Sequence, residues 1–124
     1  MNVEAFDHIL LEDTFVFSWS QTPTSLSFVV LASLLQTHPD ASPPADGEWA
    51  CYRDGLIQFH DVSSIQGLLP QAAVLTTVDP DGSIDYGCID ALSLVPPDTY
   101  RISGEFGHVS VVARGVSLIL SPRT

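Results

Sequence analysis

Hydrophobic residues recur at alternate positions along this chain, and no segment holds a helical period over three turns. In TFVFSWSQ, Phe15, Phe17 and Trp19 fall on one side of an extended strand, with Thr14, Ser18 and Ser20 on the other and Val16 among them. The turn formers Thr22-Pro23-Thr24 lead into SLSFVVLASLL, which predicts a second strand paired with the first as a hairpin. The stretch QTHPDASPPADG (residues 36–47) has three prolines and predicts a surface loop rather than a domain linker.

Two further hairpins are expected from dipeptides that favour tight turns. In EWACYRDGLIQFHDV, a two-residue turn at Asp54-Gly55 sets Tyr52 against Ile57 and Ala50 against Phe59 on an apolar side. The other side then pairs Trp49 with His60 and Cys51 with Gln58, with Arg53 opposite Leu56. In HVSVVARGVSLIL, a turn at Arg114-Gly115 sets Val109, Val111 and Ala113 against Leu120, Leu118 and Val116. ALSLV and TYRISGEF are joined across Pro96-Pro97-Asp98, and SSIQGLLPQAA (residues 63–73) reads as irregular or a single helical turn. Eight or nine short strands at regular spacing predict one all-β domain, a mostly antiparallel β-sandwich, with a small β-barrel as the alternative.

The segment VDPDGSIDYGCID (residues 78–90) holds four aspartates among turn formers. A helix-flanked calcium loop needs oxygen ligands at its first, third, fifth and twelfth positions and a glycine at the sixth. Counted from Asp79, the ligand positions hold Asp79, Asp81, Ser83 and Asp90, but glycine falls fourth and the sixth position is Ile84. The flanks are strand-like. Asp79-Pro80-Asp81-Gly82 instead fits a type I turn with a bulge, which pairs Val78 with Ile84, Thr76 with Tyr86 and Val74 with Cys88. One face of that hairpin is then expected to be almost wholly apolar.

Length and charge narrow the function classes. A chain of 124 residues, 45% apolar, can bury a core of roughly two-thirds of its unfolded surface. No apolar run approaches the ~20 residues that span a bilayer, and the acidic start MNVEAFDHILLED lacks the marks of an export signal, so a cytoplasmic location is expected. Cys51 and Cys88 are too few for a disulfide framework. Fifteen acids face four arginines and no lysine, for a net charge of −11. Such a surface repels phosphate backbones and anionic leaflets, so neither nucleic acid nor membrane is an expected partner. A basic protein or a cation suits the field better, and solubility alone is the plainer reading.

Candidate chemistry is sparse. Cys51, His60, Cys88 and His108 have no zinc-site spacing, and neither Cys–His pairing has an orienting third group. No nucleophile elbow, phosphate loop or dinucleotide fingerprint occurs. Asp85, Asp90 and Glu105 are the carboxylates to consider for acid–base work, in a chain where acids are plentiful. The face with Trp49, Arg53, Gln58 and His60 is the candidate partner-binding surface, since tryptophan and arginine are enriched at binding hot spots. Its alternative is that Trp49 packs beneath a loop. No cofactor and no metal are expected.

ILLEDTFVFSW, GEWACYRDGLIQF, DYGCIDAL and YRISGEFGHVSV together resemble a family of small, β-rich bacterial proteins of uncharacterised function. The resemblance covers most of the chain and rests on strand starts and turns; it implies no activity, cofactor or catalytic residue. Acidic single domains of this size often accompany bacterial toxins as immunity proteins, and many such toxins are basic nucleases. The expected function is a non-enzymatic domain that binds a basic protein, in its concrete form an immunity or inhibitor protein. The alternative is a small-molecule or cation-binding β-sandwich that uses Asp79, Asp81 and Asp85 or the Trp49 face, and a hydrolase comes third.

Overall fold

The computed structural model describes residues 3–44, 46, 50–78, 80 and 82–122. The described residues form an all-β sandwich of ten strands with antiparallel pairing throughout. One sheet, here sheet A, has the order β1 (Phe15–Thr22), β2 (Ser25–Leu34), β3 (Cys51–His60) and β10 (Gly115–Leu120). Sheet B has the order β4 (Ser64–Gln66), β9 (Gly107–Val112), β8 (Thr99–Gly104) and β7 (Ile89–Val95). A short ladder of β5 (Thr77–Val78) and β6 (Ile84–Asp85) stands beside them. Among these residues no helix is long and apolar enough to cross a membrane.

The first hairpin forms as the alternation predicts, with Thr22 paired to Ser25 around Pro23-Thr24. Its faces differ from expectation. The register shifts between Val16 and Ser18, so Val16 and Trp19 are buried while Phe15 and Phe17 are only half-buried. A bulge inserts one residue and moves the later side chains to the other side of the pleat. Thr14, on the side expected to lie opposite the aromatics, is buried, with its hydroxyl donating to Leu10 O at 2.9 Å and accepting from Ser33 N at 3.2 Å.

The expected hairpin at Asp54-Gly55 is absent. β3 runs straight through both residues, with Asp54 paired to Leu31 of β2 and Gly55 to Val30 of β2 and Leu120 of β10. Glycine serves close packing here: a Cβ on Gly55 would lie 3.2 Å from Ile119 O and 3.3 Å from the Leu118 and Leu120 side chains. A strand flanked on both sides gains two ladders of hydrogen bonds, which outweigh the preference of Asp-Gly for a turn.

The Arg114-Gly115 hairpin is also absent, because the chain there leaves β9 in sheet B and enters β10 in sheet A. The crossing is fixed by Ala113 N donating to Asp98 O (3.0 Å) and Arg114 N donating to His60 O (3.1 Å). The two apolar sets predicted to pair across a ladder instead meet the same core from opposite sheets. Sheet B has a hairpin that the sequence pattern missed. Gly104 pairs with Gly107 around Glu105-Phe106, and Phe106 at its tip is fully buried. The β7–β8 hairpin across residues 96–98 forms as expected.

The acidic segment is a ladder with no helix, and Val78 pairs with Ile84 as the bulged-turn register requires. The predicted longer pairing stops there. The face expected to be apolar is divided: Val78 (65%) and Ile84 (56%) are exposed at its tip, whereas Val74 and Tyr86 are half-buried against the core; on the other side Leu75 is 90% and Asp85 2% exposed. Asp79 and Asp81 lie outside the described residues.

Both sheets turn their apolar sides to one core, where the rings of Trp19, Phe28, Phe59, Tyr100 and Phe106 meet with centroids 4.8 to 6.5 Å apart. Phe106→Ala is expected to cost about 3–5 kcal/mol, and Glu105→Ala beside it no more than about 0.5 kcal/mol. Urea titrations followed by circular dichroism check the contrast; equal midpoints would contradict the buried tip.

Candidate functional site

The core-facing residues of sheet A alternate with an outer face that can be read row by row from the register. Thr22, Ser25, His60 and Gly115 form one row, and Ser20, Ser27, Gln58 and Ser117 the next. The third row is Ser18, Val29, Leu56 and Ile119. Cross-strand neighbours on one face lie about 4.5–5.5 Å apart at Cβ, so these three apolar side chains form a continuous strip across β2, β3 and β10. Val29 is 44% and Ile119 52% exposed. Leu56 between them is half-buried. Two polar rows border the strip on one side. On the other lies Leu31, paired with the exposed Asp54.

Gln58 and His60 of the predicted surface are on this face. Arg53 is not. With no turn at Asp54-Gly55, Arg53 and His60 lie seven residues apart on one strand, on opposite sides of the pleat and roughly 23 Å apart at about 3.3 Å per residue. The Arg53 guanidinium bonds to Ser121 O and to Asp40 O, tying the end of β3 to the chain after β10 and to the preceding loop. Trp49 lies outside the described residues. His60 sits over Gly115, where a Cβ would meet its ring at 2.6 Å, and its Nδ1 is 4.0 Å from an Asp61 carboxylate oxygen. It also borders an open cleft of about 740 Å³, whose lining includes Glu4, Leu94 and Tyr100. The return of the N-terminal segment to this place has no signal in the sequence, because it depends on long-range packing.

The other candidate residues are scattered. Cys51 is buried at the opposite end of β3 from His60, roughly 30 Å away at about 3.3 Å per residue. Its sulfur accepts from Ser42 N at 3.4 Å. Cys88 bridges to Phe15 at the border of sheet A, and His108 lies on the exposed side of sheet B. Among the described residues no three of His, Cys, Asp and Glu are grouped to hold a metal ion.

No family model, curated protein or solved structure matches the chain.

Asp85, one of the carboxylates considered for cation binding and acid–base work, sits where structural demands are high. Its Oδ1 accepts from Gly87 N at 2.7 Å, and Gly87 O in turn accepts from Val16 N at 2.9 Å. Tyr86 N donates to Val16 O at 2.8 Å. The buried carboxylate therefore shapes the segment that closes the border of β1. Asp90 and Glu105 are exposed. Asp85→Ala is expected to lower stability by about 1–3 kcal/mol, since it leaves the Gly87 donor unanswered, and Asp85→Asn to cost less because an acceptor oxygen remains. Thermal denaturation of the two variants tests that order; equal losses would show that the negative charge, and not the acceptor oxygen, is the essential property.

Proposed function

We propose that the protein is an acidic, non-enzymatic interaction domain that docks a basic protein partner on the outer face of sheet A. Its concrete form is an immunity or inhibitor protein acting in the cytoplasm. The observation that carries the reading is the in-register strip of Val29, Leu56 and Ile119, continued by Leu31 on one side and bordered by polar rows on the other. An apolar centre with a polar rim is the anatomy of protein interfaces. Asp54, in the row beyond the strip, and Asp61, just past the end of β3, are both exposed. The net charge of −11 adds a field that speeds encounter with a basic surface.

The strip is small beside a permanent interface, so recognition rests on charge for encounter and on a few apolar anchors for retention. Serine and glutamine rows beside it can accept and donate hydrogen bonds without placing a cation against the partner.

Affinity capture from the source cell at about 10 mM salt, where charges act over about 30 Å, is expected to retain a basic protein that is released as salt rises. The double variant Val29→Ser/Ile119→Ser should retain it at least tenfold less while keeping its circular dichroism spectrum. Unchanged retention by that variant, or a partner that holds through high salt, would overturn the proposal.

A further inference from the structure

The outer face of sheet B has a different character. Register places Ser93 of β7, Arg101 of β8 and Ser110 of β9 side by side, and Ala91, Ser103 and His108 form the adjoining row. These six residues line one concave depression of about 370 Å³. Arg101 and His108 are exposed, and the three serines are half-buried. Arg101 is on a strand with a neighbour on each side, so its guanidinium rises from the middle of the face with a hydroxyl on either flank.

The unusual fact is what Arg101 lacks. Opposite charges on adjacent strands are a common way to seat an arginine on a sheet, and this chain has fifteen acids to supply them. Both positions beside Arg101 are serine instead. Among the described residues, no carboxylate forms a salt bridge with Arg101. A planar fork of N–H donors, three hydroxyls and an imidazole thus line one depression, with none of the described carboxylates paired to the guanidinium.

We infer that this depression is a binding site for a phosphate group, free or as a monoester, with Arg101 as its principal ligand. Arginine offers paired donors that match two phosphate oxygens, and Ser93, Ser103, Ser110 and His108 are placed around it to meet the others. Of the acids nearby in sequence, Asp98 is exposed in the β7–β8 turn, past the Val95–Thr99–Val112 row, and Asp90 and Glu105 lie beyond the Ala91–Ser103–His108 row on the other side. At physiological salt the screening length is about 8 Å, so exposed acids farther than that from the depression oppose a bound anion only weakly. A single cation also suits one phosphate and not a nucleic-acid strand, which needs several.

The test is nuclear magnetic resonance titration of the whole chain with inorganic phosphate and, separately, phosphoserine. Saturable shifts confined to residues 91–93, 101–103 and 108–110 are expected with at least one of them. The one that binds more tightly identifies the source as the free ion or the monoester. In Arg101→Gln the dissociation constant should rise at least tenfold with the thermal midpoint unchanged, and Arg101→Lys should recover part of the loss. Three results would overturn the inference: no saturable shift with either probe, equal binding by Arg101→Gln, or acetate binding as tightly as phosphate. Loss of the Val29–Ile119 strip leaves this titration unaffected, so the two sites stand or fall separately.

Discussion

Ring packing between the two sheets is the interaction on which the rest of the molecule depends. Trp19, Phe28 and Phe59 come from three adjacent strands of sheet A, and Tyr100 and Phe106 come up from sheet B to meet them. Each buried ring contributes about 1.5–3 kcal/mol by leaving water, and each well-oriented pair adds about 0.5–1.5 kcal/mol. The seam also sets the spacing of the sheets. Once Phe28 and Phe106 are 4.8 Å apart, alternate residues of every strand must point outward, and both candidate surfaces are made of those outward residues.

The two outer faces are unlike for a reason visible in the strands themselves. Sheet A has two outward rows made mainly of serine, threonine and glutamine, followed by an apolar row with Leu31 beyond it. Sheet B has an arginine and a histidine among serines in two outward rows, beside a row of Val95, Thr99 and Val112. A face of the first kind suits a broad protein contact, and a face of the second suits a small charged group.

Fold class was legible because two-residue periodicity survives in nearly every strand. What misled was turn chemistry read in isolation. Asp-Gly and Arg-Gly each resemble the tip of a hairpin, yet one lies in mid-strand and the other at a passage between sheets. Both outcomes are decided by partners distant in sequence: β2 and β10 for Gly55, and His60 O for Arg114. Burial of Asp85 and of Phe106 was hidden for the same reason, since each is drawn inward by contacts that no local pattern encodes. Of the candidate surface, Gln58 and His60 were placed together by alternation alone, whereas Arg53 was joined to them only by the false turn. The Arg101 depression combines residues from three strands, and it emerges only when the register is known.

The border of sheet A at β1 is finished in an unusual way. Its first half is met by the backbone of residues 86–89, through Val16 with Gly87 and Tyr86 and through Thr14 O with Ile89 N. Its second half is met by side-chain chemistry: Gln71 Oε1 accepts from Trp19 N at 2.7 Å, and Trp19 Nε1 donates to Leu69 O at 2.9 Å. An amide side chain here occupies the place another strand's carbonyl would take. A bare sheet margin is a template onto which further copies can add, one after another, into fibrils. The 3₁₀ turn at Gln71–Ala73 thus works as a stopper against fibrillar growth, one that leaves the neighbouring outer face open to other molecules.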